Sequence, residues 1–314
     1  MEKTIKSSAV LIRFASLLFV LVIIIAALFT GRQIGANRDS GISFYYEMVG
    51  GGINGWEVLS LLLLGFLSGV VGGMLSMGGG VLKVGCLHLI FGFDIIFARI
   101  VSLLSYFVIA FSAFWRYRKY RLILWVVVKL LVPSSVFGAL IGIIIDTRIS
   151  KGVLEIIVGI YALIAGIQVL NQIWSNPVEK EIYELPKNGI NEGAVPWIGA
   201  EMGFISALTG ISGGIISTPL QNSILKLPIK NCIANTLTAA VFSSMIAGSI
   251  LLLRGLNSGD LVLGDVMFVT ICLIPGNILG GQLGGILTKR LDVNYVRAAF
   301  GIASFIIGFR ILLP

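Results

Sequence analysis

The chain has 314 residues, of which 57% are hydrophobic and only 12% charged. A soluble domain carries about 25% charged residues, so this composition excludes a water-soluble core and indicates a membrane protein with several crossings. The net charge of +8 would suit nucleic acid in a soluble protein, but here the cations sit in short loops between apolar runs, which is the positive-inside pattern.

The first predicted element is the apolar run from Ala9 to Thr30. Its apolar core is longer than the h-region of a signal peptide and no small-residue cleavage pattern follows, so it reads as a transmembrane helix. A polar stretch, Arg32 to Gly55, comes next. Apolar runs then cover about 56–75, 81–93, 97–115, 122–145 and 152–174. A polar linker spans 175–193, and further runs cover about 194–211, 215–225, 231–253, 261–287 and 293–313. Several are long enough for a hydrocarbon core of ~30 Å; those at 81–93 and 215–225 are too short. This divides the chain into 1–55, with the first helix and an external segment, a first transmembrane repeat 56–174, a cytoplasmic linker 175–193 and a second repeat 194–314.

The two halves resemble each other. The segment from Pro133 aligns with that from Pro275, and Gly138, Gly142, Gly159 and Gly166 meet Gly280, Gly284, Gly301 and Gly308. Chance would give about one such coincidence, so an internal repeat is expected. Upstream, "GFLSGVVG" from Gly65 matches "GFISALTG" from Gly203, and "MGGGVL" from Met77 matches "ISGGII" from Ile211.

The loop "RYRKYR" at 116–121 has four cations and no anion, which places it in the cytoplasm. The N-terminus is then cytoplasmic and the C-terminus external. The first repeat starts outside and the second inside, so the expected fold is an all-α polytopic membrane protein: an N-terminal helix and two inverted-topology repeats, each with a glycine-broken hairpin and about three crossing helices. The expected location is the plasma membrane of a prokaryotic cell.

The breaks carry the functional reading. Glycines interrupt the chain at Gly78–Gly80 and again within "TGISGG", Thr209–Gly214. Irregular backbone at membrane depth is tolerated only where protein buries it or it lines a polar cavity. A half-helix that starts there offers free N–H groups and a positive dipole end to an anion. The candidate binding residues are Ser76, Gly78, Gly79, Gly80, Lys83 and Ser102 in the first half. In the second they are Thr209, Gly210, Ser212, Gly213, Gly214, Asn235 and Thr236. Glu201 is a candidate for ion coupling. Lys83 is either a counter-charge for the anion or a side chain that snorkels to an interface, and Arg99 reads as interfacial. For Gly138, Gly142, Gly280 and Gly284 tight helix packing is the favoured role.

Three cysteines, Cys86, Cys232 and Cys272, lie in apolar context without metal-ligand spacing, and His88 is the one histidine. No cofactor, metal or catalytic residue is therefore expected. The expected partners are a small anion and the bilayer, with no nucleic acid; a homodimer is left open. The alternatives to a carrier are a membrane-embedded assembly or structural factor and, below it, an intramembrane enzyme.

At these residues the sequence resembles the sulfite exporter TauE/SafE family. The carriers are "GFLSGVVGGMLSMGGGVL" with "FGFD" at 91–94, and "GFISALTGISGGIISTPL" with "LP" at 227–228 and "ANT" at 234–236. The resemblance covers about 56–314. It implies a permease for sulfur oxyanions or organosulfur anions such as sulfite or a sulfonate, with the glycine hairpins at the centre of two inverted halves. The chain departs from the family's pattern in one half: Pro219 follows the second break, but Gly85 stands at the matching place after the first, and Lys83 stands where the second half has Ser217.

Overall fold

A computed structural model describes residues 55–76, 79–175, 190–290 and 294–313. The expected N-terminal helix, most of the linker and Gly78 lie outside the described residues. Among the described residues ten α-helices follow one another. The first five are α1 (Gly55–Leu75), α2 (Gly79–Leu89), α3 (Ile95–Lys119), α4 (Trp125–Asp146) and α5 (Lys151–Ser175). A short 3₁₀ turn at Glu192–Ala194 leads into α6 (Val195–Thr209), α7 (Gly214–Ile224), α8 (Ile229–Ser258), α9 (Leu263–Arg290) and α10 (Asn294–Leu312). Six of them, α1, α3, α4, α5, α8 and α9, are long and apolar enough to cross a membrane.

Local chemistry sets the ends. The Asp94 side chain accepts from Ile96 N at 2.8 Å and caps α3, and Arg116, Arg118 and Lys119 stand in its last turn, where cations complement the helix dipole. Gly210 and Gly259 close α6 and α8 with positive φ, a conformation that glycine adopts without steric cost. Trp56, Trp125 and Trp197 are exposed near helix starts and Trp115 near the end of α3, as expected of side chains at membrane–water interfaces.

The packing between the halves is reciprocal. The first helix of each half packs on the fourth of the other: α1 on α9, and α6 on α4. The third helices, α3 and α8, pack together, as do the fifth, α5 and α10. Small residues allow this. A methyl at Gly65 would lie 2.5 Å from Leu273 O, and one at Gly142 would lie 2.8 Å from Phe204 O. Methyls at Gly138, Gly280 and Gly284 would also collide with the facing backbone. Lipid tails are as apolar as leucine, so helices in a membrane associate through such close packing. Gly138, Gly142, Gly280 and Gly284 therefore hold the packing role expected of them. Outward-facing side chains such as Phe137, Ile144, Ile167 and Phe309 are exposed, as lipid contact requires.

Candidate functional site

The first break lies between α1 and α2, the second between α6 and α7. Ser76 ends the first helix with φ of 53°, a left-handed conformation that costs a non-glycine residue about 1–3 kcal/mol and persists only where neighbours hold it. They do so here. Ser76 Oγ is 2.7 Å from Thr218 Oγ1 on α7, and Ser76 O accepts from the Tyr106 hydroxyl at 3.3 Å. Ser212 Oγ, from the second break, lies 2.8 Å from Ser76 O and 2.7 Å from the Tyr106 hydroxyl. Ser212 Oγ also accepts from Gly214 N at 3.1 Å, and Tyr161 donates to Ser212 O at 3.2 Å.

The two breaks therefore touch. A methyl on Gly80 would lie 2.8 Å from Ile211 Cα and from Ser212 N, and one on Gly214 would meet the backbone of Ser76. Glycine is required at both positions because backbone packs on backbone. Gly79 lies as close to Ser68 O, where a methyl would come within 2.7 Å.

Lys83 is fully buried on α2. Its Nζ donates to Ser105 Oγ at 2.7 Å and to Ser102 O at 3.2 Å, and it sits 5.7 Å from the centre of the Tyr106 ring. The snorkelling alternative is thus excluded: α2 places the ammonium within the protein, beside the tyrosine that bridges the two breaks. No carboxylate pairs with it among the described residues. Asn277 of α9 donates to Ser105 O at 3.2 Å, while its Oδ1 and Ser102 Oγ have no partner. Ser102 thus joins the site through its carbonyl, with its hydroxyl left over.

The second half builds a neutral counterpart. Thr236 Oγ1 accepts from Gln221 Nε2 at 2.8 Å and from Thr218 at 3.3 Å, and lies 3.5 Å from Ser217 Oγ. Asn235 is at the edge of this network. Its amide donates to Gln221 Oε1 at 3.3 Å, and its Oδ1 accepts from Leu124 N at 2.9 Å at the start of α4.

Three predicted residues serve the second break locally and do not face the first. Thr209 bonds Ile205 O and Ile211 N, Gly210 packs on Arg99, and Gly213 packs on the backbone of Met202. Glu201 is half-buried on α6, and no hydrogen bond joins it to the cluster among the described residues. Arg99 is not interfacial in the sense expected: only 2% of it is exposed, and it pairs with Asp146 at 2.8 Å.

Sequence reasoning missed Tyr106, Tyr161, Ser105, Thr218, Gln221 and Asn277. Polar residues in otherwise apolar runs, as in "STPLQNS" from Ser217, were the available signal. Gly85 has a packing explanation, since a methyl there would run into the side chain of Ile307 on α10.

The model of the sulfite exporter TauE/SafE family matches residues 61–311, which takes in both breaks and every helix from α1 to α10. The chain belongs to the TauE/SafE family. It is 33% identical over 308 residues to the probable membrane transporter protein MamO of Magnetospirillum gryphiswaldense, covering 87% of this chain and 48% of that protein. The MamO of Paramagnetospirillum magneticum is 30% identical over 292 residues, covering 83% and 45%. The probable membrane transporter protein YunE of Bacillus subtilis is 21% identical over 271 residues, covering 80% of this chain and 96% of that protein. This TauE/SafE chain thus spans about half the length of the MamO relatives it matches. No solved structure matches it significantly.

Proposed function

We propose that this TauE/SafE chain is a secondary transporter of a small anion, with sulfite or a sulfonate as the substrate class, and not an enzyme. The observation that carries the reading is the direct contact of the two glycine breaks, with the Lys83 ammonium buried next to the tyrosine that joins them. A buried ammonium without a carboxylate is costly, and a small anion between the breaks would supply the missing charge. The hydroxyls of Ser76, Ser212, Tyr106 and Thr236 and the N-termini of α2 and α7 would supply hydrogen bonds to its oxygens. Two inverted halves that rock about the line of contact would expose this point to each side in turn. In the conformation described here the breaks are closed on each other. Glu201, half-buried on α6, is the proposed coupling group.

The test is flux. Purified full-length chain in proteoliposomes is expected to take up radiolabelled sulfite with saturation, and Gly80→Leu is expected to abolish uptake. The reading fails if sulfite, sulfonates and thiosulfate all give no flux above empty liposomes. It also fails if Gly80→Leu transports like the wild type.

A further inference from the structure

At the end of α3 opposite the basic loop, a cavity of about 280 Å³ opens between α3, α4, α5 and α8. Arg99, Asp146, Lys151, Arg254, Ser258 and Asp260 contribute its charged and polar lining. Asp146 is shared: Arg99 holds one carboxylate oxygen at 2.8 Å, and Arg254 approaches the other at 3.5 Å. Two guanidiniums thus divide one carboxylate, which leaves the arginine pair with one positive charge in excess. Lys151 and Asp94 pair with each other at 3.2 Å, and Asp260 accepts from Ser258 at 2.7 Å. Asp260, whose partner is a neutral hydroxyl, balances that charge over the cavity as a whole, so the positive excess is local to the arginine pair. Arg99 is almost fully buried, and its Nε has no partner. Its other contact is Ala207 O, at 2.9 Å, in the last turn of α6. Its backbone and Cβ lie against Gly210, where an added methyl would come within 2.5 Å. One residue therefore lines the cavity and also abuts the second break.

The opposite end of α3 shows that the fold needs no charge for this job. Thr288 of α9 occupies the position that Asp146 holds in α4, 142 residues earlier. It bonds the Tyr117 hydroxyl at 2.9 Å and Met74 O at 3.1 Å, and Tyr117 also donates to Gly73 O at 2.9 Å. A neutral pair thus holds the last turn of α1, as Arg99 and Asp146 hold that of α6. Guanidinium adds what hydroxyls lack: a planar fork that binds an oxyanion through two N–H groups.

We propose that this cavity is the docking site for the oxyanion substrate on its side of the membrane. Arg99 exchanges Asp146 for the oxygens of the anion, and Arg254 is the second cation. This inference rests on the transport reading above and specifies its entry site. Asp146 is then a competitor of the substrate, a role with a sign that no purely structural carboxylate has.

The experiment measures sulfite uptake by the full chain in proteoliposomes, together with labelling that does not depend on transport. Asp146→Asn is expected to lower the half-saturating sulfite concentration about threefold or more, and Arg254→Gln to raise it about tenfold with the maximal rate kept. Arg99→Gln is expected to have the larger effect; because Arg99 packs on Gly210, its melting temperature is measured alongside, and Arg254→Gln carries the test if it unfolds. An unchanged or raised half-saturation in Asp146→Asn overturns the proposal. For the second arm, Ser258→Cys in a Cys272→Ser background is labelled with an anionic and a neutral methanethiosulfonate. The anionic reagent is expected to react faster, and sulfate to slow it more than gluconate at equal ionic strength. Equal slowing by the two salts overturns the docking site. If the wild type shows no flux while sulfate protects selectively, the transport reading fails and the anion site stands.

Discussion

The short helices α2 and α7 begin at equivalent breaks and have the same length, yet their chemistry differs. On α2 the residue that joins the site is Lys83, whose buried amine donates to Ser102 O and Ser105 Oγ. On α7 the equivalent position is Ser217, and a set of neutral side chains, Thr218 and Gln221 of α7 with Asn235 and Thr236 of α8, takes the place of the lysine. The following helix is used in the same way, since Ser102 and Thr236 stand 134 residues apart, as Lys83 and Ser217 do. Polar groups thus meet at matching positions of the two halves, while the side chains at those positions differ in charge. In the proposed carrier, the first copy would attract the anion and the second would supply hydrogen-bond donors.

The largest expected effect is on what the two halves share. Gly80→Leu drives a side chain into Ile211 and Ser212. Overpacking commonly costs about 1–3 kcal/mol, and here it meets backbone that cannot rotate away. A marked fall in melting temperature and loss of sulfite uptake are expected; Gly214→Leu, which meets Ser76, is expected to behave alike. A break that tolerates leucine would end the claim that the two are equivalent.

Lys83→Met tests the difference between the halves. Replacing a buried charge by an apolar group of similar size is often neutral or stabilising, so the melting temperature is expected to hold or rise. Uptake is expected to fall at least about tenfold, equivalent to 1.4 kcal/mol. Wild-type uptake in this variant would mean that the charge of the first half has no part in transport.

Thr236→Val strips the neutral half of its central acceptor; Thr218 keeps Ser76 and Gln221 keeps Ser217, but one N–H of the Gln221 amide loses its partner. A buried donor without a partner costs about 1–3 kcal/mol, so a lower melting temperature is expected, with a smaller loss of uptake than in Lys83→Met. The reverse order would assign the anion to α7. The smallest effect is expected for Gly85→Ala, where the clash is with the Ile307 side chain. A cost of about 1 kcal/mol is expected in thermal unfolding in detergent, with uptake retained.

Helix extents were legible because hydropathy is a local property. The run expected at 122–145 is α4, Trp125–Asp146, and the short runs at 81–93 and 215–225 are α2 and α7. The glycines that seam α1 to α9 were legible through their spacing and their recurrence in the other half. The membership of the site was only partly so. Ser76, Gly80, Lys83, Ser212, Gly214 and Thr236 converge, because the glycine breaks marked their neighbourhood. Thr209 and Gly213 were drawn in by the same motif, although their contacts stay within the second half. Tyr106 and Asn277 stand in α3 and α9, away from either break; they are polar residues in apolar runs, but that signal does not say which of them meet.

By itself the sequence determined that the chain lives in a membrane, where its helices start and stop, and that two halves carry matching breaks. Those features follow from apolar run length, from glycine's poor helix propensity and from repetition, all of which act over short stretches of chain. Only the tertiary structure decided that the breaks touch, that Lys83 turns inward to Ser105 and not toward an interface, and that Arg99 is shared between Asp146 and the end of α6. The reason is physical. A charge within the bilayer takes whichever partner the packing of distant helices brings to it, and that packing joins residues more than a hundred positions apart.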